Sequence, residues 1–529
     1  MAQAISLVSA KLKRAGPYLA VFAVALVVRG FTALQLAGPE NLDAEYYFSL
    51  AQNLVRGRGF VLDAIWHFLD NPQGLPHPAG EFWLPLTSLV QALGLLLGWG
   101  YRYAQIPQIL MSSALVVLAF RFAQEISGSK AVASLAAFFT LFGGGTVMAR
   151  QVDVDCYATY ALAGSLALYA LHRGQKSPAW LCSSGLFIGL ASLTRKDGVL
   201  LLGVLLVYLA YLSWRRIPYS RAAAMAAIAL FVALNLPWQI RNWYVFGQLN
   251  PVPMGYPALL REYSDFFAYR PQLDWQHFLS WGWPWQLRAK AAAAIRNVAR
   301  FAWVLQFWQV PLCFAGLWAV RKRHSLLPIW LYPLLSYWVL TLIYTFPSEH
   351  GTWLHSLGPF VPFGAAFSAL GVCALAQSLS RDIRVQRAFL LQASVPCCAA
   401  LLACVLGVGM ARAEIATNHR WTAGRTAIGQ WVLANTLPQT TVMSNVALGV
   451  ALETGRPAVA VPYGDLSTVL QVADRFAAQY LIAWDGRPQG LPTELMSHSV
   501  NHSRLHLLQQ WDQVRIFRVE PVEVAEMYP

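Results

Sequence analysis

Charge is what this sequence has least of. Only 12% of its 529 residues are Asp, Glu, Lys or Arg and 57% are hydrophobic, whereas soluble globular domains carry roughly 25% charged residues. A soluble fold is therefore excluded for most of the chain, and a membrane protein is expected. Acids are scarcer than bases, 25 against 39, for a net charge of +14. Residues 412–529 hold nine Arg, no Lys and ten acids, so the positive excess belongs to the first 411 residues. Loops facing an anionic cytoplasmic leaflet account for it, and nucleic acid is excluded as a partner. The seven cysteines include no C-x-x-C and lie in or beside apolar segments, which argues against a disulfide framework or a zinc site. No small-residue cleavage site follows the basic N-terminal stretch MAQAISLVSAKLKRAG, so an uncleaved anchor is expected.

Apolar stretches long enough to cross a bilayer fall at about 17–37, 104–123, 131–149, 156–172, 179–194, 197–213, 222–238, 300–320, 326–345, 356–378 and 388–411. The run at 83–99 reads as a helix lying along or dipping into the membrane. With the N-terminus cytoplasmic, the inside loops collect Lys11, Lys13 and Arg14, then Arg215, Arg216 and Arg221, then Arg321, Lys322 and Arg323. That satisfies the positive-inside rule, and counting 83–99 as a span would break it. The same topology places the loops 38–103, 150–155 and 239–299 and everything after 411 on the outer face.

The unusual polar residues gather in those outer segments. DAEYYFSLAQNLVRGRGF (43–60) pairs Asp43 and Glu45 with Tyr46 and Tyr47 just beyond the first span. Acids there are costly unless they face water, protein or a cation; helix capping by Asp43 is the plain alternative. A second acidic loop, Arg150 to Asp155, contains Asp153 and Asp155, and the turn 194–198 holds the adjacent cations Arg195 and Lys196 on the outer side, against the topological bias. Cations at that boundary suit a lipid-linked phosphate. Four tryptophans in the second half of 239–299 read as an interfacial belt, with cover over a lipid tail as the alternative. From 412 on, short β-rich runs alternate with helices and carry no G-x-G-x-x-G or P-loop; a small α/β domain is expected.

The D-x-E-Y-Y and A-x-N-L-x-x-G-x-G-F pattern (Asp43, Glu45, Tyr46, Tyr47, Ala51, Asn53, Leu54, Gly57, Gly59, Phe60) resembles the first external loop of the GT-C superfamily of membrane glycosyltransferases. LTRKDG (193–198), PWQIRNWYVFGQLNP (237–251) and FPSEHGTWLHSLGPFVPF (346–363) resemble later stretches of that superfamily in order. The resemblance covers most of the first 410 residues. It implies an α-helical polytopic, GT-C-like protein of about 11 transmembrane helices over 1–411, with a soluble extracytoplasmic α/β domain at 412–529, in a bacterial inner membrane.

The same resemblance implies inverting transfer of a sugar from a polyprenyl-phosphate donor to a lipid, glycan or protein acceptor. It makes Asp43 the general base; because Ala44 separates it from Glu45, which acid serves is open. Asp153 and Asp155 match the second acidic motif, used in some branches for a divalent cation and in others for orientation. A site from Asp43, Asp153 and Asp155 would take Mg²⁺ or Mn²⁺, although no obligatory metal is expected because Arg and Lys already supply positive charge. Arg195 and Lys196, then Arg241 and His355, are the candidates for the donor phosphate, with Tyr46, His77 and His350 lining the site; loop ordering is the favoured role for His77. The rival readings are a ligase with a diphosphate-linked donor, a transporter and a non-catalytic scaffold.

Overall fold

The structure is a computed structural model that describes residues 2–143, 147–253, 255–343, 352–381, 385–485, 491–496 and 502–521. Among the described residues seven helices are long and apolar enough to cross a membrane: Ala15–Gln35, Tyr101–Ser127, Lys196–Trp214, Arg221–Phe246, His324–Leu342, Thr352–Ser380 and Arg387–Asn435. Lys130–Phe142 and Pro178–Thr194, two of the expected spans, are shorter apolar helices, and a third, 156–172, is the 18-residue helix Tyr157–Gly174. The run at 83–99 contains a ten-residue helix, Leu86–Leu95, too short to cross a hydrocarbon core about 30 Å thick.

The expected span at 300–320 is broken. Helices Trp283–Val304 and Gln309–Val320 meet at 83°, and Gln306 and Phe307 take positive φ at the corner. The Gln306 amide donates to the carbonyls of Phe142 and Ala403, each at 3.1 Å, so side-chain hydrogen bonding holds a bend that hydropathy does not reveal.

Within the bundle, helices approach closely wherever glycine removes the side chain. A methyl group on Gly316 would lie 1.9 Å from the Phe367 carbonyl, and one on Gly371 2.1 Å from that of Leu312. Helices Gln309–Val320 and Val361–Ser380 thus pack backbone to backbone. Arg29, fully buried in the first span, donates to the carbonyls of Thr140 (3.2 Å) and Met148 (3.4 Å); an intramembrane charge is kept against protein.

The extramembrane part contains two sheets. In the smaller, β1 (Val61–Leu62) pairs antiparallel with β3 (His77–Pro78). The larger has the order β2-β5-β4-β6-β8-β7, with β2 (Ala64–Ile65), β4 (Thr441–Ser444), β5 (Ala458–Val459), β6 (Ala478–Trp484), β7 (Leu505–Trp511) and β8 (Val514–Val519). The β2-β5-β4-β6 strands are parallel and the β6-β8-β7 strands antiparallel.

Two features tie this sheet to the membrane part. Its edge strand β2 comes from the first external loop, and the helix Val385–Asn435 runs 51 residues without interruption through the expected boundary at 411. Tyr46, Tyr47, Leu50 and Trp66 share one hydrophobic core with Ile428, Val432, Val442 and Ile516. The first loop and the C-terminal segment are therefore one packed unit.

Candidate active site

The helix Leu42–Val55 begins at Asn41, whose side chain accepts from the Ala44 N–H at 2.9 Å. Capping is thereby done by Asn41, as its short amide side chain permits. Asp43, in the first turn, is left with a half-buried carboxylate that accepts no hydrogen bond from any described residue. It faces Asp155, Cys156 and His355, and one ligand atom from each of the four lies within 4.8 Å of the others. Three chain segments supply these residues: the first loop, the link between helices Val147–Arg150 and Tyr157–Gly174, and the short helix Thr352–Ser356.

His355 Nε2 lies 2.9 Å from Asp155 Oδ2, and the Cys156 N–H donates to Asp155 Oδ1. Burial pushes the Asp155 carboxyl up, but His355 and the Arg150 charge hold it well below the usual carboxylate range. Burial and the neighbouring Asp155 charge raise Asp43 to about 6, against the opposing pull of His355 and Arg195. The two carboxylates have been driven apart, one fixed as an anion and one poised to exchange a proton near neutral pH.

The other acids do different work. Asp153 accepts from Tyr101 O–H (2.7 Å), the Val154 N–H (2.7 Å) and the Glu40 N–H (3.1 Å), so it ties three segments together; burial raises it to about 6. Glu45, fully buried, pairs with Arg425 at 3.0 Å and accepts from Trp421 Nε1 at 3.1 Å. Of the acids chosen from the sequence, Asp43 and Asp155 come together, while Glu45 and Asp153 turn to structural partners.

The cations divide in the same way. Arg195 donates to Asp197 (2.9 Å) and, at 3.7 Å, to Cys156 Sγ, and it lies over the Tyr160 ring. Lys196 donates to the carbonyls of Glu81 (3.1 Å) and Val252 and sits 5.0 Å from the centre of the Phe82 ring. Arg241 donates to Asn242 Oδ1 (3.1 Å) and the Phe60 carbonyl (3.4 Å), over the Trp238 ring. No carboxylate pairs with Lys196 or Arg241 among the described residues. The two bracket Gly80–Phe82 of the first loop: a methyl group on Gly80 would meet Arg241 Nη1 at 3.4 Å. Tyr46 belongs to the same wall, accepting from the Gly80 N–H at 2.7 Å and donating to Glu81 at 3.4 Å.

His77 has a carboxylate partner of its own: its Nε2 lies 2.9 Å from Asp70 Oδ2, in the loop that carries Glu81. His350, like Glu349, lies outside the described residues.

Comparison with known proteins gives the arrangement a context. Residues 77–240 match the family model of dolichyl-phosphate-mannose-protein mannosyltransferases. ArnT from Cupriavidus metallidurans bound to undecaprenyl phosphate is similar in structure, with a TM-score of 0.57 at 14% identity over 95% of this chain and 98% of ArnT. So is the oligosaccharyltransferase AglB from Archaeoglobus fulgidus in complex with an inhibitory peptide and a dolichol-phosphate, at 0.53 and 12% identity over 89% of this chain and 70% of AglB. The A. fulgidus oligosaccharyltransferase in complex with Zn and sulfate scores 0.55 at 13% identity, over 88% and 67% of the two chains. No curated protein matches by sequence. The chain shares the fold of ArnT and AglB over most of its length.

In this chain the donor set that comes together differs from three carboxylates. Asp153 is spent on Tyr101 and Glu40, and Cys156 and His355 stand beside Asp43 and Asp155. Thiolate and imidazole with carboxylate oxygen fit Zn²⁺, a borderline-soft ion, better than Mg²⁺, which takes oxygen ligands. Cysteine spacing pointed away from zinc because a single cysteine takes part and the donors come from three separate stretches, 43, 155–156 and 355, that meet only in the fold. Cys156, Glu81, Asp197 and Arg425 are further candidates that the sequence reading passed over. For Cys156 a signal was present: a thiol directly after the D-x-D loop.

Proposed function

We propose that this GT-C enzyme transfers a sugar, with inversion, from a polyprenyl-phosphate donor to an acceptor hydroxyl or amine at the outer face of a bacterial inner membrane, and that Asp43 is the general base. The observation that carries the reading is an acid that has no hydrogen-bond partner among the described residues, faces Asp155, Cys156 and His355, and is raised to about 6 by burial and the Asp155 charge. ArnT and AglB, to which the chain is similar in fold, have structures with undecaprenyl phosphate and a dolichol-phosphate bound, respectively.

The acceptor loses its proton to the Asp43 carboxylate as its oxygen or nitrogen attacks the anomeric carbon. The bond from that carbon to the phosphate oxygen breaks, and the polyprenyl phosphate leaves with the electron pair. Lys196 and Arg241 stabilise the charge that grows on the departing phosphate. One displacement inverts the anomeric centre, so no second carboxylate nucleophile is required. His355 and Asp155 hold the opposite wall in one charge state, which fixes the field that Asp43 experiences. A Zn²⁺ held by Asp43, Asp155, Cys156 and His355 would supply Lewis acidity at the same place.

The test uses the chain purified into nanodiscs and offered a panel of undecaprenyl-phosphate and undecaprenyl-diphosphate sugars with lipid, glycan and peptide acceptors. Release of undecaprenyl phosphate is followed by mass spectrometry. Wild type should turn over a monophosphate donor, and Asp43→Asn should bind it equally but react at least about 100-fold more slowly, within the usual contribution of general base catalysis. Full turnover by Asp43→Asn removes Asp43 from the role. Turnover of diphosphate donors alone makes the protein a ligase.

A further inference from the structure

We propose that Arg425, on the extramembrane half of the last long helix, is a positioning residue that acts through Glu45 to hold Asp43 in place. The inference rests on Asp43 being the base, and it gives the C-terminal segment a part in the reaction.

Asp43 is carried by a short stretch. The first span ends at Gln35 and the helix bearing Asp43 begins at Leu42, so residues 36–41 set where the carboxylate lies. One face of the helix Val385–Asn435 supplies a row of contacts to that link, while the Glu40 N–H goes to Asp153. Asn418 accepts from the Ala37 N–H (2.7 Å) and donates to the Gly38 carbonyl (2.7 Å). His419 lies 2.8 Å from the Gln35 carbonyl. Trp421 donates to Glu45 (3.1 Å). Asn418, Trp421 and Arg425 are spaced by three and four residues, the repeat that aligns side chains along one helix face.

Arg425 closes the row. It is 2% exposed and its donors are divided among three partners: the Pro39 carbonyl at 2.9 Å, Glu45 at 3.0 Å and Glu453 at 2.8 Å. One guanidinium therefore joins the link, the first turn of the Asp43 helix and the helix Ala447–Thr454 beyond β4. A methyl group on Gly38 would come 2.8 Å from Arg425 Nη2, so the link and the guanidinium are in direct contact. Lysine has no planar fork, so its single nitrogen does not reproduce the separate contacts of the Arg425 Nε and Nη1. Because Glu45 is two residues from Asp43 in the same turn, a shift in the Glu45 contact moves Asp43 against Asp155 and His355. A displacement of about 1 Å can cost about 100-fold in rate.

The test compares wild type, Arg425→Ala, Glu45→Gln and the double variant Glu45→Gln/Arg425→Gln, all full length in nanodiscs. Transfer is assayed with whichever undecaprenyl-linked sugar and acceptor the wild type uses. Arg425→Ala should lose at least tenfold in kcat with the donor KM within threefold. The double variant, which leaves no charge at position 45 to be orphaned, should recover most of that loss. Amide exchange gives a readout independent of substrate: in Arg425→Ala, residues 42–50 should exchange at least tenfold faster while β4 and β6 keep their protection. Unchanged kcat and unchanged exchange at 42–50 overturn the proposal. Uniform loss of protection through the C-terminal sheet, or a double variant no better than Arg425→Ala, also overturns it, the first by making Arg425 a folding residue and the second by making Glu45 act directly. A wild type that transfers none of the sugars, with the exchange result intact, counts against the catalytic reading and leaves the coupling of Arg425 to the Asp43 turn standing.

Discussion

His355 Nε2 lies 2.9 Å from Asp155 Oδ2 although 200 residues separate them. Both are buried, and the pair joins the loop before helix Tyr157–Gly174 to the short helix Thr352–Ser356 at the wall facing Asp43. Removing one partner of a buried ion pair typically costs about 3–5 kcal/mol because the other charge is left uncompensated. His355→Gln should therefore lower the thermal midpoint in detergent and abolish transfer, and Asp155→Asn should do the same. In the double variant His355→Gln/Asp155→Asn the midpoint should recover while transfer stays lost. Recovery of both would show that the pair is structural only.

The cluster around Asp43 makes a prediction about metal. Four donors with one thiol and one imidazole select Zn²⁺ over Mg²⁺. Metal-free protein titrated with Zn²⁺ should bind one equivalent and gain thermal stability, and Mg²⁺ in excess should do neither. Cys156→Ser, which removes the soft ligand, should weaken Zn²⁺ binding at least tenfold, and His355→Gln should weaken it further. Equal stabilisation of wild type and Cys156→Ser would place the ion elsewhere.

Hydropathy and loop charge were enough to read the class of fold, since a chain with so few charges has few ways to satisfy its backbone outside a helical bundle. The order of motifs also led to Asp43, Asp155, Arg195 and His355, because each stands beside the end of an apolar run. Long-range pairing was not legible. Nothing local to Glu45 shows that Arg425 will meet it, so it read as a second catalytic acid. β2 is two residues long and carries no strand pattern of its own; it becomes a strand only because β5 lies beside it. The break at Gln306 was hidden for the same reason, since its hydrogen-bond partners, Phe142 and Ala403, are remote in sequence.

Lys196 and Arg241 reach residues 80–82 from two different helices and lack acid partners among the described residues. A phosphate held between them should depend on both. Arg241→Ala and Lys196→Ala should each weaken binding of undecaprenyl phosphate to protein in nanodiscs at least tenfold, and raising salt should affect the variants less than wild type. Arg195, already committed to Asp197 at 2.9 Å, should behave differently: Arg195→Ala should reduce stability and turnover more than affinity. Loss of affinity confined to Arg195→Ala would move the phosphate to the other side of the turn.

The pair of His77 and Asp70 gives the first loop a pH signature. Burial by itself would lower His77 and raise Asp70, but their 2.9 Å contact reverses both: His77 lies above its ordinary 6.5 and Asp70 below its ordinary 3.8. A raised histidine contributes stability that is complete below its unfolded value and is lost as pH climbs through the folded one. A lowered carboxyl contributes stability that is complete above its unfolded value and is lost as pH falls through the folded one. The pair is therefore worth most between about pH 4 and 6.5, and a charge-assisted hydrogen bond of this kind contributes about 2 kcal/mol. His77→Gln should widen the gap in thermal midpoint from wild type most at pH 5.5, and the gap should shrink by pH 8.5. A gap that stays constant from pH 5 to 9 would mean that His77 is neutral in the folded protein and that packing against the loop, with no charge involved, is what it supplies.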